Sequence, residues 1–442
     1  MTKRKDYTPV TVPFSATPTG EPPSIRTWAN YCVWTDRMLT TLEQGKVRGG
    51  RWHTLIDKVY DENNMRDAAH GVAAKGGAAG VDHQTTEHFI EYLDEELQRL
   101  DDALRNDTYR PQAVLRTWIP KPGSSEKRPL GIPTVRDRAV QTAVLHVLEP
   151  IFDITFSDHS YGFRHGRGCH HALAHVEHLL EKDYVYVVDA DLKSYFDTIP
   201  HDGLMARIRE KVSDSRMLRL IEMFLAQGIM EDLQTWTPEE GTPQGAVISP
   251  LLANIYLNPL DHLIAGAGYQ MIRYADDFVI LCRTPEEAQQ ALELVREWVT
   301  ANGLTLHPTK TKVVDSRRDG FDFLGYHFRD KLRLPRTKSL KKIKDAIREK
   351  TRRAHGHSMH FTCASLSSTL RGWFNYFRHC HWTVFRELDG WIRMRLRSIL
   401  RRQAHRKGCG RGNDHFRWPN SYFAELGLYS LSDAHTRFVN PP

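Results

Sequence analysis

The feature that most constrains this chain is the tetrapeptide Tyr-Ala-Asp-Asp at residues 274–277, which lies between two β-prone apolar runs. These runs, residues 270–273 and 278–282, predict a β-hairpin that carries the two acids at its tip. Two adjacent carboxylates beside an apolar core are unfavourable unless a cation neutralises them. Mg²⁺, which is held by carboxylate oxygens and substrate phosphates, is the natural cation for such a pair. Taken alone, the pattern is more often an acidic surface turn.

A second acidic segment lies upstream of this hairpin. Residues 184–188 are β-branched and aromatic, so they predict a strand, and that strand leads into Asp189 and Asp191. An acid at the end of one strand and an acid pair on a neighbouring hairpin can share two divalent metal ions about 4 Å apart. One ion would activate a primer 3′-hydroxyl and the other would stabilise the leaving pyrophosphate. The two segments together predict nucleotidyl transfer by positioning and charge neutralisation.

The charge of the chain is unevenly distributed. Residues 331–442 contain 24 Lys and Arg against 7 Asp and Glu, a net charge of +17, whereas the whole chain has a net charge of +7. Arginines alternate with aromatic residues in segments 370–378 and 391–397 of this basic part. Such a composition predicts a helical module that binds nucleic acid, with a solvated basic face as the alternative.

Other features of the composition exclude several classes of protein. No window of eighteen apolar residues is present, and the N-terminus lacks the apolar core of a signal peptide. The six cysteines are scattered without Cys-x-x-Cys spacing, which supports neither a zinc knuckle nor a disulfide framework. At 442 residues the chain is long enough for two or three domains. The sequence therefore favours a cytoplasmic protein that does not enter a membrane.

Three shorter motifs suit contacts with phosphates or bases. Residues 114–133 predict two strands around a basic turn, where Lys121 and Arg128 are placed to bind a triphosphate. Residues 160–168 combine aromatics and glycines with Arg164 and Arg167, a mixture that suits a nucleic-acid backbone or a structural turn. The loop before the helix start at Ser249 and Pro250 would let Gln244 lie against a base or sugar.

In their order along the chain, these blocks resemble the group II intron-encoded reverse transcriptases, also called intron maturases. The resemblance extends from about residue 55 to the C-terminus. It implies an α+β right-hand polymerase, with a leader over residues 1–54, fingers and palm over residues 55–330, and a basic helical thumb or maturase domain over residues 331–442. No pairs of cysteines for an HNH nuclease are present, so the chain resembles the branch of the family that lacks the endonuclease.

The resemblance also implies roles for particular residues. Asp191, Asp276 and Asp277 would be the catalytic set and would hold two Mg²⁺ ions, with Mn²⁺ as a possible substitute. Asp191 is preferred to Asp189 because the family places its first catalytic Asp five residues before an aromatic, here Phe196. Phe196 would exclude a 2′-hydroxyl and so select deoxynucleotides. Lys121, Arg128 and Gln244 would complete the nucleotide pocket. The predicted contacts with nucleic acid are Arg164, Arg167, Lys310, Gly325, Arg371, Arg378, Arg393, Arg395 and Arg397.

The partners implied by the family are the group II intron RNA, an RNA template with a DNA primer, deoxynucleotides and target DNA. The chain would act as a maturase in splicing and as a polymerase in target-primed retrohoming. Two alternatives remain open from the sequence. One is a domesticated reverse transcriptase in antiviral defence or CRISPR adaptation, and the other is an RNA-binding splicing cofactor that makes no DNA.

Overall fold

The computed structural model of the chain describes residues 31–120, 127–231, 234–237, 240–242, 245–330, 332–353, 356–406, 408, 410 and 412–440. The chain divides into two compact units. The first comprises Met1–Tyr184 and Val188–Val313, and the second comprises Val185–Val187 and Val314–Pro442. Residues 314–330, which the sequence analysis assigned to the palm, are thus grouped with the C-terminal helices.

The first unit contains eleven α-helices among its described residues. They are α1 (Asp36–Glu43), α2 (Ile56–Val59), α3 (Glu62–Lys75), α4 (Thr86–Glu91), α5 (Leu93–Arg105), α6 (Val135–Asp153), α7 (Cys169–Glu181), α8 (His201–Arg209), α9 (Ser215–Leu225), α10 (Ser249–Gly266) and α11 (Pro285–Ala301). The strands are β1 (Val114–Pro120), β2 (Lys127–Ile132), β3 (Tyr186–Asp191), β4 (Ile229–Glu231), β5 (Gln234–Trp236), β6 (Gln270–Tyr274), β7 (Asp277–Cys282) and β8 (Lys312–Asp315). Strands β3 and β8 each have residues in both units.

These strands form two sheets, and the structure confirms the predicted α+β class. One sheet has the order β2-β1-β4-β5, and the other has the order β6-β7-β3-β8. Strands β1 and β2 are antiparallel, with Pro120 opposite Lys127, as the two-strand prediction for residues 114–133 requires. Strands β6 and β7 are also antiparallel, which confirms the predicted hairpin.

Helix α6 forms the centre of the first unit. Its N-cap is Thr134, whose hydroxyl accepts the amide of Asp137 at 3.1 Å. Ala139, Val140 and Val144 are completely buried, and the polar residue Asp137 is buried as well. A helix that is buried on most of its sides is a core element rather than a surface one. Burying each valine side chain contributes about 1.5–3 kcal/mol of transfer free energy.

The second unit has strands β9 (Phe321–Phe323), β10 (Tyr326–Arg329) and β11 (Leu332–Pro335), followed by helices α12 (Thr337–Lys350), α13 (Met359–Phe377), α14 (Trp382–Gln403), α15 (Asp414–Arg417), α16 (Asn420–Glu425) and α17 (Leu431–Val439). The strands form an antiparallel sheet in the order β11-β10-β9. Tyr326 of β10 joins this sheet to α13, because its ring packs 5.1 Å from that of Phe377 and its hydroxyl donates to the carbonyl of Tyr376.

Three predicted elements differ from those observed. Residues 86–105 carry apolar residues at three- and four-residue steps, which predicts one helix, but they form two helices, because Tyr92 leaves the helical conformation at φ −110° and ψ 31°. The sequence of residues 304–312 predicts a strand, but this segment is mostly turn, with Leu306 in an isolated bridge before β8 begins at Lys312. Pro308 lacks the amide that a continuing ladder would use. The strand predicted over residues 184–188 is shifted to 186–191, so it includes Asp191 itself.

None of the helices in the described part of the chain combines the length and apolarity needed to cross a bilayer.

Candidate active site

The tip of the β6–β7 hairpin is a two-residue turn. Tyr274 pairs with Asp277, which leaves Ala275 and Asp276 as the turn residues. Ala275 has a φ of +61°, in the left-handed region that favours glycine. An alanine in this conformation costs roughly 1 kcal/mol or more, so the surrounding structure must hold it there.

The sheet order brings Asp191 and the hairpin acids together. Strand β3 lies beside β7, and Asp191 is the last residue of β3 while Asp277 is the first residue of β7. Asp276 precedes Asp277 directly in the hairpin turn. The pKa of Tyr195, four residues beyond Asp191, is raised mainly by burial, and the negative charge of Asp276 raises it further. Asp191 and Asp277 thus belong to adjacent strands of one sheet, and Asp276 lies in the turn next to Asp277.

Asp191 is paired with a lysine. Its Oδ2 accepts Lys310 Nζ at 2.5 Å, and its side chain is 33% exposed. The backbone supports this contact, because His307 N donates to the Asp191 carbonyl at 2.7 Å. Lys310, predicted to contact nucleic acid, therefore also neutralises a predicted metal ligand.

The donor set suits Mg²⁺. The three acids supply only carboxylate oxygens, the ligand type that Mg²⁺ prefers, and Asp191 already attracts a cationic group. Within the described ranges, however, no group of three or more His, Cys, Asp and Glu side chains is arranged to hold a metal ion. Asp191, Asp276 and Asp277 are the residues that would hold Mg²⁺, and Lys310 would have to release Asp191 first.

A buried arginine holds the turn from behind. Arg273 is completely buried, and its Nη1 donates to the carbonyl of Ala275 at 2.8 Å. The same nitrogen donates to Asn254 Oδ1 at 2.8 Å, while Nε and Nη2 donate to the two carboxylate oxygens of Asp261 at 2.7 and 2.5 Å. Asn254 and Asp261 both belong to α10. The bidentate ion pair therefore ties the strained turn to that helix.

The backbone of residues 159–162 encloses the other side of the turn. Arg273 N donates to the His159 carbonyl at 2.9 Å, and Tyr161 N donates to the Arg273 carbonyl at 2.8 Å. Gly162 fits against the turn only because it has no side chain, since a Cβ there would lie 2.2 Å from Ala275 N. Asn254 Nδ2 donates to the Gly162 carbonyl at 2.9 Å. We call Arg273, Asp261, Asn254 and Gly162 the turn clamp.

The sequence analysis did not identify the turn clamp, although one signal was present. Arg273 stands inside an apolar strand, where an unpaired charge is costly, so a buried carboxylate partner was implied. That partner is Asp261, twelve residues earlier on a helix whose sequence does not distinguish it from a surface acid.

Only part of the predicted nucleotide pocket can be described. Phe196 is half-buried near Asp191, with its ring 6.5 Å from Phe163 and 5.6 Å from Tyr195. Lys121 and Gln244 lie outside the described residues, as does the side chain of Arg128.

Two arginines predicted to contact nucleic acid have internal partners. Arg164 is buried, and its Nε donates to Asp153 Oδ1 at 2.7 Å. Arg167 pairs with Asp158 at 2.8 Å, and its side chain is only 2% exposed. We therefore revise the prediction: both guanidinium groups hold the loop of residues 153–168, and their burial leaves no surface for a phosphate.

The predicted residues of the second unit fall into two groups. Arg397 is buried, donating to the Trp418 carbonyl at 2.9 Å and to Asn420 Oδ1 at 2.8 Å, so its prediction as a contact is also revised to a structural role. Arg395 donates to Thr351 Oγ1 at 2.6 Å.

The remaining members are closer to the surface. Gly325 forms the β9–β10 turn with a φ of +79°. Arg378 lies over the Phe438 ring at 5.0 Å. Arg371 and Arg393 line a common cavity.

Comparison with known proteins identifies two family matches. Residues 119–328 match the reverse transcriptase (RNA-dependent DNA polymerase) family, and residues 340–418 match the maturase-specific domain of group II introns. The Group II intron-encoded protein LtrA of Lactococcus lactis subsp. cremoris is 40% identical over 261 residues, which cover 59% of this chain and 40% of LtrA. Protein YkfC of Escherichia coli (strain K12) is 33% identical over 317 residues, which cover 62% of this chain and 83% of YkfC.

The comparison with solved structures is weaker. A chain of a partial Cas6-RT-Cas1–Cas2 complex is 27% identical with a TM-score of 0.37, and covers 56% of this chain and 42% of that one.

Proposed function

Because the chain belongs to the family of group II intron-encoded reverse transcriptases and maturases, we propose that it is an RNA-directed DNA polymerase whose catalytic carboxylates are Asp191, Asp276 and Asp277. The observation that supports this proposal is the adjacency of β3, which ends at Asp191, and β7, which begins at Asp277 directly after the turn residue Asp276. The chain spans about 40% of LtrA, so the activity and partners of the whole protein are part of the proposal.

The residues of the proposed site have different roles. Mg²⁺ held by the three carboxylates would neutralise phosphate charge and activate the attacking hydroxyl, and Mn²⁺ has the same ligand preference. The turn clamp fixes the backbone of Ala275 and hence the position of Asp276. Lys310 keeps Asp191 paired between turnovers. Phe196 would contact the sugar of the incoming nucleotide, with Lys121, Arg128 and Gln244 around its phosphates and base.

The proposed partners follow from the family and from the charge of the C-terminal part. Residues 331–442, with a net charge of +17, suit a polyanion. We propose that they bind the intron RNA and the RNA template with its DNA primer. The proposed roles are maturase action in splicing and target-primed reverse transcription into DNA during retrohoming.

The test separates catalysis from RNA binding. Asp276→Asn keeps the size of the side chain but removes its charge, so complementary-DNA synthesis from a preformed RNA template and DNA primer should be abolished. RNA affinity should stay within about twofold of wild type, because the acid contributes no phosphate contact. Asp330→Asn is the matched control, since Asp330 is exposed and adopts a φ of +52° that asparagine tolerates.

Loss of synthesis and RNA binding together in Asp276→Asn would count against the metal assignment. Wild-type protein that binds RNA but extends no primer would favour a splicing cofactor that makes no DNA.

A further inference from the structure

A cationic cavity lies within the second unit. It measures about 580 Å³, is open to solvent on one side, and is lined by α13, α14, α16, α17 and the segment between the last two helices. Four arginines line it, namely Arg371, Arg386, Arg393 and Arg437, against one carboxylate, that of Asp433. We call this cavity the arginine pocket. The sequence analysis singled out Arg371 and Arg393, but not their neighbours on α14 and α17.

The positive charge of the arginine pocket is largely uncompensated. Arg371, Arg386 and Arg437 make no ion pair within 4 Å among the residues that the structure describes. Arg393 Nη2 lies 3.4 Å from Asp389 Oδ2, a long contact. Four guanidinium groups around one cavity repel each other unless an anion joins them.

Asp389 is already occupied by other donors. Its carboxylate accepts the backbone amides of Leu431 and Ser432 at 3.1 Å and the Ser430 hydroxyl at 3.0 Å, so it caps the start of α17. The Asp389 carboxylate therefore interacts mainly with the N-terminus of α17 and only at long range with Arg393. The pocket keeps an excess of positive charge.

One wall of the pocket is a fixed aromatic ring. Tyr429 N donates to Ser367 Oγ at 2.9 Å, and the Tyr429 ring packs edge-on against Phe374 at 6.1 Å. Arg371 lies over this ring at 5.4 Å. Burial raises the pKa of Tyr429, and the charges of Arg437 and Arg371 oppose that rise, so both guanidinium groups are near its hydroxyl. An aromatic ring beside arginines is the usual platform for an unpaired base and its phosphates.

We propose that the arginine pocket binds a splayed nucleotide of single-stranded RNA, with its flanking phosphates on the arginines and its base or sugar against Tyr429. The volume suits a nucleotide better than a lone phosphate, and planar guanidinium forks match phosphate oxygens. The hydroxyls of Ser421 and Ser432 also line the pocket and can bond a 2′-hydroxyl. The proposal rests on the proposed RNA-directed function for the identity of the strand.

This pocket extends beyond the recognised maturase-specific domain. The family match ends at residue 418, whereas α16, α17 and the segment between them supply the floor and one side of the cavity. The proposal therefore adds a nucleotide site at the boundary of that domain.

A matched pair of variants tests the proposal. Arg386→Gln with Arg437→Gln removes two exposed pocket arginines, and Arg402→Gln with Arg406→Gln removes two exposed arginines outside the pocket. Affinity for a single-stranded RNA oligonucleotide is measured over a range of salt concentrations. The pocket variant should bind roughly tenfold more weakly at about 0.15 M salt. Its salt slope should fall by about one for each phosphate that the variant no longer neutralises.

The control variant should lose less affinity and less of the salt slope than the pocket variant does. Equal losses in the two variants would overturn the proposal, because they would show a general charge effect. Unchanged binding in the pocket variant would overturn it too.

Photo-crosslinking of the unaltered protein gives a second measurement that does not depend on how a variant folds. RNA substituted with 4-thiouridine should crosslink to the peptide that contains Tyr429. Inorganic phosphate and a free mononucleotide are the competitors that distinguish a strand from a small anion. The assignment to RNA would be overturned if phosphate or the mononucleotide, at a concentration equal to that of the RNA nucleotides, abolished the crosslink. It would also be overturned if polyglutamate abolished the crosslink.

Primer extension separates this proposal from the proposed polymerase. If wild-type protein crosslinks RNA through Tyr429 but extends no primer, the RNA-binding pocket is supported and the polymerase proposal is wrong. If it extends a primer efficiently without this crosslink, the polymerase proposal is supported and the RNA-binding pocket is wrong.

Discussion

At the scale of single residues, the most consequential side chain is a structural one. Arg273 is buried in an ion pair with Asp261, and its guanidinium also donates a hydrogen bond to the carbonyl of the strained Ala275. A buried ion pair is not itself a strong source of stability, but removing one partner leaves a buried charge without compensation. The catalytic turn therefore depends on a charge balance that is completed on α10.

Arg273→Met should lower the free energy of unfolding by about 3–5 kcal/mol, because the buried Asp261 carboxylate loses its partner. Arg273→Lys keeps the charge but cannot bond Asp261 and Ala275 together, so it should lose less stability and yet slow single-nucleotide addition about a hundredfold. Urea unfolding and single-turnover extension measure the two effects. Wild-type extension by Arg273→Lys would show that the bond to Ala275 does not position the turn.

Lys310 is predicted to compete with Mg²⁺ for Asp191. Lys310→Met removes the ammonium 2.5 Å from the carboxylate, so the protein alone should bind Mg²⁺ more tightly in calorimetry. Lys312→Met is the matched control, because its Nζ lies 4.0 Å from Asp189 Oδ2. Equal effects of the two substitutions would indicate only a change in overall charge.

At the scale of elements, the close approach of the 159–162 segment to the β6–β7 turn is the critical contact. Gly162→Ala would place a Cβ 2.2 Å from Ala275 N and 2.8 Å from the Tyr274 carbonyl carbon, so backbone must move. We expect a stability loss of roughly 1–3 kcal/mol and a much larger fall in extension rate.

Gly168→Ala is the control for that substitution, because a Cβ at Gly168 would meet nothing within 4 Å. Comparable extension rates in the two variants would show that the turn tolerates displacement.

Elements with a strong local signal could be predicted from the sequence. The hairpin follows from its two β-prone apolar runs, the start of α10 at Ser249 from the proline that follows it, and the span of α11 from an N-cap at Thr284. The break at Tyr92 could not be predicted, because residues 86–105 have an uninterrupted helical pattern and the break is in the backbone conformation.

The candidate site divides in the same way. Asp191, Asp276 and Asp277 follow from residue type and spacing, but the turn clamp requires knowing which distant polar groups meet. Arg164 and Arg397 illustrate the limit: an arginine among aromatics has one sequence pattern whether it faces a phosphate or, as here, Asp153 or Asn420.

At the scale of the whole molecule, pH should act on stability through a half-buried acid of α6, Glu149. Burial raises the pKa of Glu149 from 4.5 to about 7, although the Tyr31 hydroxyl donates to it at 2.6 Å. The folded chain therefore holds this proton more tightly than the unfolded chain does. The stability that it contributes is complete below pH 4.5 and is lost as the pH rises to about 7.

Glu149→Gln should remove this dependence. The variant can still accept the Tyr31 hydroxyl, so its free energy of unfolding relative to wild type should improve steadily between pH 4.5 and 7. Urea unfolding at a series of pH values measures the difference. A constant difference across this range would mean that Glu149 titrates normally in the folded chain.

The turn clamp also has a consequence for the order in which a ribosome delivers this protein. Asn254 and Asp261 emerge from the exit tunnel before Arg273, so α10 carries an acid without its counter-charge until the next strand has been translated. A nascent chain arrested in that interval lacks the guanidinium that joins the helix to the hairpin, and it should be recognised by chaperones and proteases as unfinished.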